Sequence, residues 1–321
     1  MKDLVVALSG GVGGAKLALG LSRILSPEML TVAVNTGDDF DHLGLRVCPD
    51  IDTILYTLAG VENPATGWGR RDETWNFMNA LGVLGGATWF RLGDSDLATH
   101  VERTRRLNAG EPLSQITADF ARRYGISARI LPMSNDNVRT KIRTSTGWLD
   151  FQNYFVERQC EPEVIELAYE GADAAKPNPD FLAALSEPRL RAVVICPSNP
   201  FISIDPILAV PGVRDALRRC PAPVVAVAPI INGKAVKGPT AKMMRELGLE
   251  VSAASVAKHY EEFLDAYVLD VSDRAATDIK AEVAFAPSLM VTLQDREILA
   301  KATLDLADKL RANGDRRLAG A

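Results

Sequence analysis

Cysteine is scarce in this 321-residue chain and scattered: Cys48, Cys160, Cys196 and Cys220 include no C-x-x-C pair. Its three histidines, His42, His100 and His259, lack metal-ligand spacing, so neither a structural zinc site nor a disulfide framework is expected. No apolar run reaches the ~18 residues that a membrane span needs. Positive charge is not in excess either, and a formal net charge of −5 argues against general nucleic-acid binding. Met1-Lys2-Asp3 leads directly into an apolar stretch, without the layout of a signal peptide. A reduced, cytoplasmic protein with no membrane or nucleic-acid partner is expected.

What the chain does have is glycine, concentrated in one place. Leu4-Val5-Val6-Ala7-Leu8 reads as a buried strand of a parallel sheet. Gly10, Gly11, Gly13 and Gly14 follow, and then Lys16 to Leu25 runs at helical spacing. Strand, glycine turn and helix is the layout in which free backbone N–H groups meet a phosphate. Neither common motif fits. Walker A needs Gly-Lys-Ser/Thr, but Lys16 stands between Ala15 and Leu17. The dinucleotide fingerprint is broken, and no acid ends the second strand. A tight turn is the structural alternative to a phosphate loop of another kind.

Further strands are expected at Leu30–Val34, Ala128–Leu131, Arg191–Cys196, Val224–Ala228 and Tyr267–Asp270, alternating with helices. That pattern predicts a Rossmann-like α/β fold, a mainly parallel sheet with helices on both faces. Residues 60–125 turn helical, so the expected organisation is a nucleotide-binding domain of residues 1–59 and 126–321. Residues 60–125 would be an insertion forming a lid over an acceptor site. Strand-like stretches at Val138–Ile142, Trp148–Phe155 and Val164–Ala168 suggest an antiparallel annex. A last amphipathic helix is expected over Leu293–Leu310, followed by a frayed tail from Arg311 to Ala321.

Ligands of open α/β sheets bind at the carboxyl ends of the strands, which places Asp38 and Asp39 beside the glycine loop. Adjacent acids there either cap a helix, solvate a loop or hold Mg²⁺ on a phosphate. Asp50 stands where a helix N-cap would. His100 and His259 are expected to be packed or solvated, and Arg103, Arg105 and Arg106 to form a solvated helix face. Arg139, Lys141 and Arg143 share one face of a strand, expected to be a solvated edge.

Several blocks in order resemble one family, the 2-phospho-L-lactate transferases (CofD) of deazaflavin coenzyme F-420 biosynthesis. They are Ser9-Gly10-Gly11-Val12-Gly13-Gly14, Asn35-Thr36-Gly37-Asp38-Asp39, Cys48-Pro49-Asp50-Ile51-Asp52-Thr53 and Gly67-Trp68-Gly69. Leu92-Gly93-Asp94 with Ala98-Thr99-His100, Leu131-Pro132-Met133-Ser134, Pro197-Ser198-Asn199-Pro200 and Pro229-Ile230-Ile231 extend the likeness over almost the whole chain. The Gly67–Trp75 loop looks most like bacterial members, which include phosphoenolpyruvate transferases.

The resemblance implies transfer of a phospho-carboxylic-acid group (phosphoenolpyruvyl, 2-phospholactyl or 3-phosphoglyceryl) from a guanosine diphosphate-linked donor. The acceptor would be the ribityl hydroxyl of 7,8-didemethyl-8-hydroxy-5-deazariboflavin (Fo), with GMP released. It further implies that Gly10, Gly11, Gly13, Gly14, Thr36, Ser198 and Asn199 hold nucleotide and phosphate. Mg²⁺ would sit on Asp38, shared with Asp50, and these two would be the catalytic residues. Asp50 and Arg91 would meet Fo, with Trp68 and Trp75 as stacking or core residues, and the protein would be a homodimer. A sister group of this fold binds nucleotide sugars and regulates metabolism without transfer chemistry; Asp50, Arg91 and the Gly67 loop favour the enzyme.

Overall fold

The computed structural model describes residues 3–274, 276, 278–312 and 314. A seven-stranded sheet forms its centre. Its strands are β1 (Leu4–Ser9), β2 (Leu30–Val34), β3 (Arg129–Pro132) and β4 (Leu190–Ile195), then β5 (Val224–Val227), β6 (Ala266–Asp270) and β7 (Glu282–Ala286). All neighbouring pairs are parallel, in the spatial order β3-β2-β1-β4-β5-β6-β7. This is the doubly wound arrangement expected, and the order reverses between β1 and β4, where such sheets open a crevice. The sheet is apolar because both faces are covered. Along β1, Val6 and Leu8 enter one core while Val5 and Ala7 enter the other.

Helices α1 (Gly11–Ile24) and α2 (Pro49–Ala59) pack on one face together with α6 (Leu293–Ala312). Helix α6 runs two residues beyond the expected end, and residues 313 and 315–321 of the anticipated tail lie outside the described residues. The stretch 60–125 carries α3 (Asn76–Val83), α4 (Asp94–Asn108) and α5 (Leu113–Arg123). It is not uniform. Leu113, Ile116 and Phe120 of α5 join the core beneath the main sheet. A separate small cluster holds only Val47, Met78 and Leu92 fully buried, with Phe40, Trp75 and Phe90 packed around them.

The antiparallel annex pairs Arg139–Thr144 with Gly147–Asp150 and Glu166–Glu170. The strand expected from Trp148 to Phe155 stops at Asp150, and a helical turn takes over at Asn153–Glu157. Phe151 and Tyr154, three apart, both face the core, which is helical rather than alternating spacing. Arg139, Lys141 and Arg143 do alternate with buried Thr140, Ile142 and Thr144. The outward face is ion-paired: Lys141 to Asp150 and Glu170, Arg143 to Glu166. No helix among the described residues is long and apolar enough to cross a membrane.

Candidate active site

A cavity of about 570 Å³ opens where β1 and β4 part. One half is built on the ends of strands. After β1 the chain turns at Gly10 into α1, and Gly11 takes φ +62°, a left-handed value that disfavours any side chain. Gly13 is needed for a different reason: a Cβ there would overlap the carbonyl oxygen of Pro197. So the glycines let two strand-end loops touch. Ser198 completes that contact, donating to Gly10 O at 2.8 Å and accepting from Gly10 N–H at 3.2 Å.

The expectation of a wholly free N-terminal turn is thus corrected. Gly11 N–H is occupied by Asp50 Oδ1 at 2.6 Å, and Gly10 N–H by Ser198. Val12 and Gly13 line the cavity, and their N–H groups, in the first turn, have no partner within the helix. Gly14 and Thr36 do not line the cavity: Gly14 packs on the Ser9 and Ser198 hydroxyls, and Thr36 is buried. Asn199 lines it but spends its side-chain oxygen capping the turn at Phe201 and Ile202.

Asn35 organises the acids. Its amide nitrogen donates to Asp38 Oδ1 and Asp50 Oδ2, both at 2.9 Å, and to Ile202 O at 3.1 Å. Its oxygen accepts from Gly37 N–H at 2.7 Å. Asp50 is the second residue of α2, after Pro49, and does not cap that helix; it ties the helix to the glycine loop. Burial pushes the Asp50 carboxyl up to about 6, against the hydrogen bonds from Asn35 and Gly11. Burial and then the neighbouring Asp50 and Asp39 push Asp38 well above its ordinary range. Burial likewise raises Asp39 to about 7.

Two buried carboxylates on one amide repel one another when both are ionised. A divalent cation relieves that repulsion, so Asp38 and Asp50 fit Mg²⁺ by the chemistry of their oxygens. A second group, Asp52, Asp96 and His100, has ligand atoms within 4.8 Å of one another. It fits a cation poorly, because the Arg103 guanidinium already pairs both Asp52 oxygens.

The other half of the cavity is made of helices and aromatics. Trp89 and Phe90 line it, backed by Phe40 and His42 through edge contacts of 4.8–5.7 Å. Arg91 stands exposed at the mouth, 4.1 Å over the Trp75 ring. Trp75 therefore supports Arg91 from behind and is not a cavity wall, whereas half-exposed Trp68 is at the rim. Arg103 and Arg106, expected to be solvated, are 1% and 8% exposed. Arg103 pairs with Asp52, and Arg106 with Glu111 and Asp119. Only Arg105 of the three keeps to the surface, paired with Glu102.

Two lysines, Lys16 and Lys237, also line the cavity. Lys16 lines the cavity, donates to Met290 O at 2.9 Å and has its pKa lowered, first by burial and then by Arg296 and Lys237. Lys237 reaches across from the hairpin after β5 to Thr66 O. The signal for Lys16 was its place on the glycine-loop helix; Lys237 had none, being far along the chain.

The sequence profile of the family described as 2-phospho-L-lactate transferase CofD matches residues 5–306. The chain belongs to the CofD family. It is 40% identical over 318 residues to the phosphoenolpyruvate transferase of Kitasatospora aureofaciens, covering 96% of this chain and 98% of that protein. The phosphoenolpyruvate transferase of Mycobacterium tuberculosis is 38% identical over 328 residues, covering 94% and 98%. A crystal structure of a UPF0052-family protein from Bacillus halodurans superposes with a TM-score of 0.63 at 15% identity, over 95% of this chain and 99% of that one. That likeness speaks for the fold alone.

Proposed function

We propose that this member of the CofD family transfers a phosphoenolpyruvyl group from a guanosine diphosphate-linked donor to the ribityl hydroxyl of Fo. GMP leaves, and the product is a phosphodiester precursor of coenzyme F-420. The relatives, phosphoenolpyruvate transferases by name, favour phosphoenolpyruvate over lactate or glycerate as the acid. One observation carries the assignment of roles: Asp50 sits at the seam of the cavity. It holds Gly11 on the phosphate side, shares Asn35 with Asp38, and begins the helix whose later turns line the aromatic side.

On this basis the Val12 and Gly13 N–H groups, with Lys16, bind the diphosphate. Asp38 and Asp50 would hold Mg²⁺, which would neutralise charge on the phosphates. The chain's own part is positioning. Asp50 orients the attacking hydroxyl and takes up its proton as the new P–O bond forms. Trp89 and Phe90 offer flat apolar surface to the tricyclic ring, and Arg91 closes over its exposed edge.

The test is incubation of purified protein with Fo, Mg²⁺ and each of the three guanylylated acids, with products weighed by mass spectrometry. A phosphoenolpyruvyl adduct of Fo together with GMP is expected. Absence of any Fo adduct, with a uridine diphosphate sugar raising the melting temperature instead, would replace this function with the nucleotide-sugar-binding one.

A further inference from the structure

We infer that Gln152 is an acceptor-binding residue, whose amide oxygen accepts a hydrogen bond from a ribityl hydroxyl next to the attacking one. The inference rests on the transferase function proposed above and adds a recognition residue to it. Gln152 stands between the annex strand Gly147–Asp150 and the helical turn Asn153–Glu157. It is 4% exposed and lines the cavity. Its Nε2 donates to the backbone carbonyl of Asp38 at 3.3 Å. A carbonyl can only accept, so the amide nitrogen must face Asp38, which leaves the oxygen as the atom on offer. No donor among the described residues bonds that oxygen. The flanking side chains hold the segment in place: Phe151 and Tyr154 are buried in the core, and Phe151 stacks on Phe155 at 5.3 Å.

A polar atom of a buried side chain seldom goes without a partner. The chemistry of an amide oxygen narrows what that partner is. It accepts and cannot donate, so it has nothing to give the diphosphate or the enolpyruvyl group of the donor. Their phosphate, enol and carboxylate oxygens are all acceptors at neutral pH. An O–H or N–H group is needed, and position selects among those. Asp38, to which Gln152 is tied, shares Asn35 with Asp50, and Asp50 orients the attacking hydroxyl. The ribityl chain carries its other hydroxyls on the carbons directly behind that one. The ribose of the donor is set apart from the reacting phosphorus by a further phosphate, and the deazaflavin ring lies at the far end of the ribityl chain.

Gln152→Met keeps the length and bulk of the side chain and removes the acceptor. Two deazaflavins are titrated by fluorescence with GDP and Mg²⁺ present: Fo, and an analogue whose ω-hydroxypentyl chain keeps the terminal hydroxyl alone. Fo should bind Gln152→Met about three- to tenfold more weakly than wild type, the value of one neutral hydrogen bond. The analogue should bind the two proteins within about twofold of each other. Affinity for GDP, and for Mn²⁺ in place of Mg²⁺, should not change. Wild-type affinity for Fo in the variant overturns the inference, as does equal weakening of Fo and the analogue, the mark of a packing residue. Weakening of GDP would assign the oxygen to the ribose, and weakening of Mn²⁺ would make Gln152 a support of Asp38; either overturns it too. If Gln152→Met does not fold, Gln152→Asn, which draws the oxygen back by one methylene, takes its place with the same expectations. A wild-type protein that ignores Fo would instead fail the transferase function itself.

Discussion

The two halves of the cavity are held together by opposite means. Around the glycine loop, fixed backbone groups and short polar side chains do the holding: Ser198 on Gly10, Asp50 on Gly11, Asn35 on both acids. They hang on strand ends whose residues are almost wholly buried. Across the cavity, long ionic side chains do it, above all Arg103 with Asp52, over a cluster of only three fully buried apolar residues. A strand end is positioned by its sheet and needs no local glue. A small helical annex cannot bury enough apolar surface to fix itself, so a buried ion pair supplies a unique arrangement where packing does not.

The largest effect expected from this contrast is at Arg103. Arg103→Met leaves Asp52 buried without its guanidinium partner, which costs about 3–5 kcal/mol. The melting temperature should fall by several degrees or more, with Fo binding lost and GDP binding kept in the folded fraction. A variant as stable as wild type would mean that the annex is held by its apolar contacts after all.

Next in size is Asp38→Asn. Transfer should drop about a hundredfold or more, because an amide is a poor ligand for Mg²⁺ beside a diphosphate. Its melting temperature should not fall, since a buried carboxyl with a raised pKa is replaced by a neutral group. Turnover within about twofold of wild type at saturating Mg²⁺ would remove Asp38 from the metal site.

Legibility in the sequence follows the same division. Six of the seven sheet strands, their parallel sense and the loop acids could be read because each is local: an apolar run, a glycine cluster, Asn35 three residues from Asp38; the edge strand Glu282–Ala286 is not among those expected. Helix α4 could not. Its arginines stand at positions 103, 105 and 106, and nothing in that spacing tells which of them meets an acid on another element. The partner of Arg103 lies 51 residues away. Lys237 and the aromatic wall at Trp89 and Phe90 were invisible for the same reason, being brought to the cavity only by tertiary packing. The glycines show a subtler limit. Their density predicts a phosphate loop, but Gly13 answers first to the Pro197 carbonyl, which no local pattern reveals.

A smaller effect, on stability against pH, belongs to the glycine-loop half. Asp50 at about 6 and Asp39 at about 7 keep protons that the unfolded chain has already released. The folded state therefore binds more protons between about pH 4 and pH 7, and stability falls as pH rises through that window. In chelator the melting temperature should decline by a few degrees across it. Saturating Mg²⁺ should flatten the decline by favouring the ionised forms at Asp38 and Asp50. Identical slopes with and without Mg²⁺ would place the cation elsewhere.

The smallest expected effect lies at the mouth, on Arg91. Its guanidinium is exposed and rests on Trp75, so solvent screens whatever it gives a ligand. A hydrogen bond from a charged group is worth ~1.5–3 kcal/mol when sheltered, and exposure puts Arg91 at or below the lower end. Arg91→Ala should raise the Michaelis constant for Fo about tenfold, leave the constant for the guanylylated donor unchanged and hardly move turnover. Trp75→Ala should reproduce part of that loss without touching the ligand, because the arginine would lose the ring that holds it in place. Arg91→Lys keeps the charge but not the planar stacking on Trp75 and should fall between the two. If Arg91→Ala and Trp75→Ala instead weaken Fo and donor alike, the mouth serves closure of the whole cavity. The division into a backbone-built phosphate half and a side-chain-built ring half would then fail at its outer edge, nearest to solvent.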